Sequence, residues 1–189
     1  FLYRPKAKFN NEIYSFPINL MTLHQMWGVN TPEEAENVLE RKRIKIDNPK
    51  NLEEWVISQV GKEIYEKFIY GYTKKQWNRD PKELPASIIK RLPIRLYYDD
   101  NYFTDKYQGI PANGYTEIFE KMLEGIVIQL GVDFLKNKEK YESICKKIVY
   151  TGPIDEFFNY RYGPLEWRSL KFEEKIYDFD FQGNCVINH

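Results

Sequence analysis

The feature that most constrains the fold is a run of apolar residues at helical spacing that follows residue 51. Asn51-Leu-Glu-Glu54 supplies a capping side chain and acidic residues for a first turn, which together are a helix start signal. The apolar positions after it recur as they would on one helical face: Trp55, Val56, Val60, Ile64, Tyr65, Phe68 and Ile69. The pattern predicts a long buried helix with a break at Gly61 and an end at Gly71.

Other signals place helices in the first part of the chain and strands in the second. Thr31-Pro-Glu-Glu34 predicts a helix over residues 32–41, and a shorter one is expected over 117–123. Prolines allow at most two helical turns between residues 82 and 93, which favours a mobile loop there. Four runs are rich in strand-forming residues, and residues 1–14 are typical of a hairpin. The four predicted strands are 126–130, 147–150, 170–176 and 185–187.

The predicted fold class is α+β, with a helical half followed by a mostly antiparallel β-sheet half. Residues 1–20 are predicted to form a hairpin or sheet piece, and 21–94 a helical region that carries the loop near 82–93. Residues 95–189 are predicted to be rich in sheet, with short helices. The boundary near Arg95 is soft, because no low-complexity linker separates the halves.

The charge balance excludes several classes of partner. Lys plus Arg and Asp plus Glu both number 28, so neither nucleic acid nor an anionic membrane is expected to bind. A small molecule with locally matched charges is the expected ligand. Two cysteines cannot form a disulfide framework and are expected to be reduced core residues, and no cluster has metal-ligand spacing. The sequence has no apolar run of about 20 residues and no signal pattern, so a cytoplasmic location is expected.

The densest group of aromatic and basic residues is Phe68-Ile-Tyr-Gly-Tyr-Thr-Lys-Lys-Gln-Trp77. Rings presented together can stack on a planar base, while core packing is the ordinary use of rings at helical spacing. Arg91 lies between prolines, and its guanidinium could bind phosphate, but Lys90 and Arg95 compete for that role. Tyr102 could donate to a phosphate or simply pack. The residues by themselves therefore leave two alternatives open, a nucleotide-binding surface and ordinary packing of the rings.

A longer set of motifs resembles the bacterial UDP-galactopyranose mutase family. The segment 68–77 is followed by Asp80-Pro-Lys-Glu-Leu-Pro-Ala86 and Arg91-Leu-Pro93. Further blocks in the same order are Pro17-Ile-Asn-Leu20, Asn101-Tyr-Phe103, Tyr107-Gln-Gly-Ile-Pro111, Gly114-Tyr-Thr116, Val149-Tyr-Thr-Gly-Pro-Ile-Asp155 and Phe181-Gln-Gly183. The resemblance extends over nearly the whole chain.

The resemblance implies part of an α/β flavoenzyme that interconverts UDP-galactopyranose and UDP-galactofuranose. In that family reduced FAD forms a flavin N5–sugar adduct and UDP leaves, and the product serves galactofuranose biosynthesis for cell-surface polysaccharide. The family's glycine-rich FAD site has no counterpart in this sequence. The chain is therefore expected to be a fragment that does not bind FAD and is inactive alone, and no cofactor-binding residue is assigned.

The resemblance also implies roles for seven residues. Tyr72 would stack on uracil beside Phe68, and Thr73 and Trp77 would contact the ribose or the sugar. The other three follow from the same comparison: Arg91 as the catalytic loop arginine that neutralises the diphosphate, Tyr102 as a diphosphate contact, and Asn188 as a substrate contact. Ile69 replaces an aromatic residue of some relatives.

Two other readings use the same residues. A non-catalytic nucleotide-sugar binding module would keep the ring platform and Arg91 without needing a flavin. A protein-interaction domain would use the rings as a contact surface and would not respond to UDP. Exposed sheet edges and apolar surface would favour self-association into a homo-oligomer.

Overall fold

A computed structural model describes residues 3–90 and 92–189, which fall into two compact units. The first unit comprises Phe1–Gly109 and Glu174–His189, as far as these residues are described, and the second comprises Ile110–Glu173. The first unit contains the sheet and the long helical region.

The sheet is small and joins sequence-distant parts of the first unit. Strands β1 (Lys6–Phe9) and β2 (Glu12–Ser15) form an antiparallel hairpin. The two turn residues, Asn10 and Asn11, have φ of 47° and 70°, the left-handed conformation that a tight hairpin turn requires. Strand β3 (Ile187–Asn188) pairs parallel to β1, giving the order β2-β1-β3.

The helices begin where their capping residues predict. The Thr31 hydroxyl accepts a hydrogen bond from the Glu34 backbone N–H at 3.2 Å, and the Asn51 side chain accepts one from Glu54 at 2.9 Å. Gly61 breaks the third helix with φ 81° and ψ 169°, as its position in the apolar pattern indicated. The three helices are α1 (Leu20–Trp27), α2 (Pro32–Lys42) and α3 (Leu52–Ile64).

The helical path continues past Gly71, so the predicted helix end there is wrong. A π-helical turn, Tyr65–Tyr70, carries the backbone directly into α4 (Gly71–Trp77). Gly71 itself has φ −63° and ψ −44°, which is ordinary helical geometry, so its freedom to end a helix is not used. The helix ends instead at Asn78, whose φ of 50° is the left-handed conformation of a helix C-terminus.

The core of the first unit is formed mainly by the helices and the hairpin. Glu63 links three helices, because it accepts hydrogen bonds from the Trp27 indole at 3.1 Å and the Lys42 ammonium at 3.0 Å. The segment after α4 contains two 3₁₀ turns, Pro81–Glu83 and Ala86–Ile88. The largest fully buried apolar side chains are Ile18, Leu23, Leu39, Leu52, Val60 and Ile64. Burying such side chains supplies most of the stabilisation of the unit.

The prediction of a mostly antiparallel sheet half is wrong. In the described residues beyond 92, β3 is the only strand, and it overlaps the predicted strand at 185–187. Segments 126–130, 147–150 and 170–176 have no ladder partner in the described chain, and a strand is stable only when its backbone groups are paired. Val127, Val149 and Ile176 are 89%, 90% and 100% exposed, so these apolar runs form no buried sheet face.

The second unit consists of short helices and loops. The predicted helix at 117–123 is confirmed as α5, and ring contacts connect later segments. Tyr150 packs against Phe134 and Phe157, with ring centroids 5.5 and 5.2 Å apart. Its elements are α5 (Thr116–Met122), a 3₁₀ turn (Leu135–Asn137), α6 (Lys138–Ile144) and α7 (Ile154–Phe157).

Both cysteines have positions that differ from the sequence expectation. Cys145 and Cys185 are free thiols and exposed, so the prediction that they are core residues is wrong. Cys145 directly follows α6, and Cys185 lies two residues before β3. Among the helices of residues 3–90 and 92–189, none has both the length and the apolar character needed to cross a membrane.

Candidate functional site

The first unit contains a cavity of about 410 Å³, which is within the usual size range of small-ligand sites. Its walls come from residues 3–9, Phe16, the π-helical turn with α4, the loop residues 88, 89 and 92, and the segments carrying Tyr102 and Asn188. The walls combine rings, aliphatic side chains, hydroxyl groups and a few charges. Such a lining suits a ligand with a planar part and a polar part.

The structure brings most of the predicted site residues together. Six of the seven line this one cavity, and they are Phe68, Tyr72, Thr73, Trp77, Tyr102 and Asn188. The seventh, Arg91, lies outside the described residues. The loop end next to it lines the cavity through Ile88, Ile89 and Leu92.

Helical geometry explains why four of the six share one wall. Phe68 and Tyr72 are four residues apart, as are Thr73 and Trp77, so each pair lies on one side of a continuous helical path. The path is continuous because the π-helical turn passes directly into α4. A π-turn inserts one extra residue in a helix, and such turns occur often at functional sites. Here it determines which side chains face the cavity.

The ring cluster divides between core and site. Phe68 is 7% exposed and packs edge-on against Tyr14, with centroids 5.1 Å apart, so core packing describes this ring. Tyr72 and Trp77 are 42% and 36% exposed, although both line the cavity. Ile69 is 3% exposed, lies in the core and also lines the cavity. Two rings therefore have open faces on which a planar group can stack.

Tyr102 is held in place by a buried arginine. The Arg95 side chain is 4% exposed and donates from Nη1 to the backbone carbonyls of Asp99 and Asn101 at 3.1 and 2.6 Å. Its Nε is 3.4 Å from the Asp99 carboxylate. These contacts fold the segment that presents Tyr102. Arg95 thus has a structural position, whereas Lys90, the other competitor for the phosphate role, is exposed.

Asn188 reaches the cavity through the parallel strand pairing. It is opposite Ala7 in the register of β1 and β3, and Ala7 also lines the cavity. The Lys6 backbone N–H donates to the Val186 carbonyl at 2.9 Å, and Lys75 on α4 donates to the His189 carbonyl at 3.2 Å. The end of the described chain is therefore attached to both neighbouring walls.

The predicted set omits several polar lining residues, among them Tyr3, Lys8 and Lys67. The Lys67 ammonium lies 4.7 Å from the centre of the Tyr14 ring and donates to the Tyr14 hydroxyl at 3.0 Å. Burial raises the pKa of Tyr3, and the neighbouring phenols of Tyr102 and Tyr72 raise it further. Tyr3, Pro5 and Ala7 stand at alternate positions in the segment that leads into β1, and this alternation is the signal that could have found Tyr3.

Comparison with known proteins identifies the family of the chain. A family model described as UDP-galactopyranose mutase matches residues 67–189. The chain is 43% identical, over its whole length, to a Klebsiella pneumoniae protein named "Probable UDP-galactopyranose mutase", half of which is covered. It is 41% identical over 97% of its length to the dTDP-fucopyranose mutase of Escherichia coli, of which 51% is covered.

A more distant relative is the UDP-galactopyranose mutase of Mycoplasma pneumoniae, 35% identical over 58% of this chain and 30% of the relative. The chain spans about half the length of the first two curated relatives it matches. The matched region contains all of α4, Tyr102 and Asn188, and therefore most of the cavity residues that the sequence singled out. The chain belongs to the UDP-galactopyranose mutase family.

Proposed function

We propose that this chain provides the nucleotide-sugar site of an isomerase that interconverts UDP-galactopyranose and UDP-galactofuranose. The observation that carries the proposal is the convergence of six residues, chosen from sequence motifs, on one cavity. Those residues come from the helical region, the segment near 102 and the last strand, which are far apart in sequence. Their convergence supports one shared ligand.

The base would bind against α4. In this proposal Tyr72 stacks on uracil with its exposed face, and Phe68, one turn earlier, forms the apolar end of the same wall. Thr73 directly follows Tyr72, and Trp77 lies one turn beyond Thr73; these two residues would contact the ribose or the sugar. Ring stacking would contribute about 0.5 to 1.5 kcal/mol beyond the burial of apolar area.

The diphosphate would bind toward Tyr102. A phenol hydroxyl can donate to an anionic oxygen, and a hydrogen bond to a charged group is worth roughly 1.5 to 3 kcal/mol. Arg91 is the proposed catalytic residue, since its guanidinium would neutralise charge that develops on UDP as the sugar–phosphate bond breaks. Asn188 is proposed as a donor or acceptor for the substrate.

The family is flavin-dependent, and reduced FAD would supply the attack on the sugar. The residues of this chain do not fit the phosphates of a dinucleotide, because the sequence lacks a Gly-x-Gly-x-x-Gly loop. Gly71, a glycine that lines the cavity, has helical geometry and belongs to no such loop. The part assigned to this chain is to bind UDP, orient the sugar and stabilise the leaving group.

A second candidate substrate follows from the Escherichia coli relative, whose name gives dTDP-fucopyranose. Its 41% identity over 97% of this chain is close to the 43% of the Klebsiella pneumoniae relative. The two nucleotides differ by a methyl group on the base and a hydroxyl on the ribose. The part of the cavity beside Tyr72 and Thr73, where the base and the ribose would bind, would therefore be where the protein distinguishes the two nucleotides.

Two non-catalytic alternatives make different predictions. A nucleotide-sugar binding module would use the same cavity and bind UDP without supporting turnover. A protein-interaction domain would place a partner on the exposed rings and would show no response to UDP. The exposed faces of Tyr72 and Trp77 are compatible with either use, and a titration with UDP distinguishes these two alternatives.

The test is a calorimetric titration of the chain with UDP and with dTDP. UDP is expected to bind, and Tyr72→Ala and Arg91→Ala should each lower its affinity on the order of tenfold. Tyr107→Ala is the matched control, because Tyr107 is 84% exposed and lies in the same unit away from the cavity. Failure of the parent chain to bind either nucleotide would contradict the proposal. Tighter binding of dTDP would favour the second substrate.

A further inference from the structure

Tyr3 lies in the segment that leads directly into β1 (Lys6–Phe9), and it lines the cavity. Pro5, Ala7 and Lys8, which follow it, also line the cavity. Tyr3 is therefore part of the same wall as β1.

The position of the Tyr3 ring is fixed relative to Tyr102. The Tyr3 carbonyl accepts a hydrogen bond from the Tyr102 backbone N–H at 2.9 Å. The two rings meet edge-on with centroids 5.4 Å apart, a geometry that aromatic pairs prefer. Asp100 strengthens this attachment, because it pairs with Lys6 at 2.8 Å and Arg4 at 3.3 Å. The phenols of Tyr3 and Tyr102 are therefore presented as a pair.

The Tyr3 hydroxyl is available as a donor. In the described parts of the chain, residues 3–90 and 92–189, it makes no hydrogen bond. Burial and the nearby phenols of Tyr102 and Tyr72 raise its pKa, so the group stays protonated throughout the physiological range. A phenol that keeps its proton beside a second phenol suits a ligand oxygen with two or more lone pairs and a negative charge.

We propose that Tyr3 binds the diphosphate of the nucleotide sugar, its hydroxyl donating to an anionic oxygen next to the one bound by Tyr102. The proposal rests on the proposed function, since it places a further residue in the same site. The diphosphate is favoured because Tyr3 is joined to Tyr102, the proposed diphosphate residue, by a backbone hydrogen bond and an edge-on ring contact. Tyr3 is then a binding residue with no role in proton transfer.

The experiment compares Tyr3→Phe with the parent chain, using UDP and uridine as separate probes in NMR titrations. Phenylalanine keeps the ring contact with Tyr102 and removes only the hydroxyl. UDP affinity is expected to fall on the order of tenfold, which corresponds to one lost hydrogen bond to a charged group. Uridine affinity should stay the same, because uridine carries no phosphate. Tyr107→Phe is the control for a tyrosine that is 84% exposed.

The possible outcomes separate this proposal from the one on which it rests. If Tyr3→Phe leaves UDP affinity unchanged while Tyr72→Ala weakens it, the role of Tyr3 is refuted and the UDP site stands. An equal loss for UDP and uridine would also refute it, since the effect would then arise at the base or in the fold. Absence of UDP binding by the parent chain would overturn both proposals. Thermal melts of Tyr3→Phe should match the parent and so show that the variant is folded.

Discussion

Gly61 is the position where adding a single methyl group should do most damage to the helical region. Its φ of 81° with ψ 169° lies where side-chain-bearing residues are strained. A Cβ there would lie 2.5 Å from the Lys42 carbonyl oxygen and 2.9 Å from its carbon. Both atoms belong to the backbone at the end of α2, so they cannot move aside as a flexible side chain would.

The expected cost of Gly61→Ala has two parts. Holding alanine in this backbone conformation costs roughly 1 to 3 kcal/mol, and forcing an atom into a filled space costs a similar amount. Alanine also reduces the freedom of the unfolded chain, which offsets about 0.4 to 1 kcal/mol. The free energy of unfolding should therefore fall by about 1 to 5.5 kcal/mol.

Urea unfolding followed by tryptophan fluorescence measures this loss. With a slope of roughly 2 kcal/mol per M, the midpoint should fall by about 0.5 to 2.75 M. Gly28→Ala tests the conformational cost without the steric cost, because Gly28 has φ 71° but no atom lies within 4 Å of an added Cβ. Gly71→Ala provides the opposite control, since Gly71 is helical with open space around it and should gain a little stability. A Gly61→Ala midpoint equal to that of Gly28→Ala would refute the steric argument.

Three further substitutions test individual contacts. Tyr65→Phe removes the 2.7 Å hydrogen bond to Glu53 and should cost about 1 to 2 kcal/mol at neutral pH. Burial and Glu53 raise the pKa of Tyr65, so the hydrogen bond contributes fully to the free energy of unfolding below about pH 10 and less as the pH rises above it. Urea melts in alkali should therefore show a smaller difference between Tyr65→Phe and the parent. Burial raises the pKa of Glu63, but the hydrogen bonds it accepts outweigh this and lower it overall. Glu63→Gln should therefore lower the free energy of unfolding by less than about 1 kcal/mol at pH 7, and the difference should vanish as melts move below pH 4.5, the value for the free group. Arg95→Lys keeps the charge but cannot bridge two carbonyls, and thermal or urea melts should show a loss of about 1 to 3 kcal/mol; an unchanged midpoint would refute the bridging role.

Local signals in the sequence were sufficient for the helix starts and the break at Gly61. A capping side chain acts on backbone groups two or three residues away, so Thr31 and Asn51 determine their helix ends without help from distant parts of the chain. The same holds for Gly61, whose conformation only glycine adopts without strain.

The features that could not be read from the sequence depend on contacts between distant residues. The strand-like run at 126–130 has the right composition, but a strand needs a partner, and composition does not say whether one exists. Gly71 has the identity of a helix terminator, yet it lies within a helix because the π-turn before it carries the path onward. Tyr3 was missed because its alternation with the next residues extends over too few positions to be distinguished from chance.

The π-helical turn has a consequence for which changes of chain length this region tolerates. A π-turn fits one extra residue into about the same rotation as an α-helix, so deleting one residue from Tyr65–Tyr70 would let the turn relax to an α-helix while the residues after it keep their orientation. Tyr72 would then stay on the cavity side. A one-residue insertion or deletion within α4 has no such compensation and would rotate the residues after it by about 100°. Single-residue gaps in alignments of new relatives should therefore fall within residues 65–70 and be absent from 71–77.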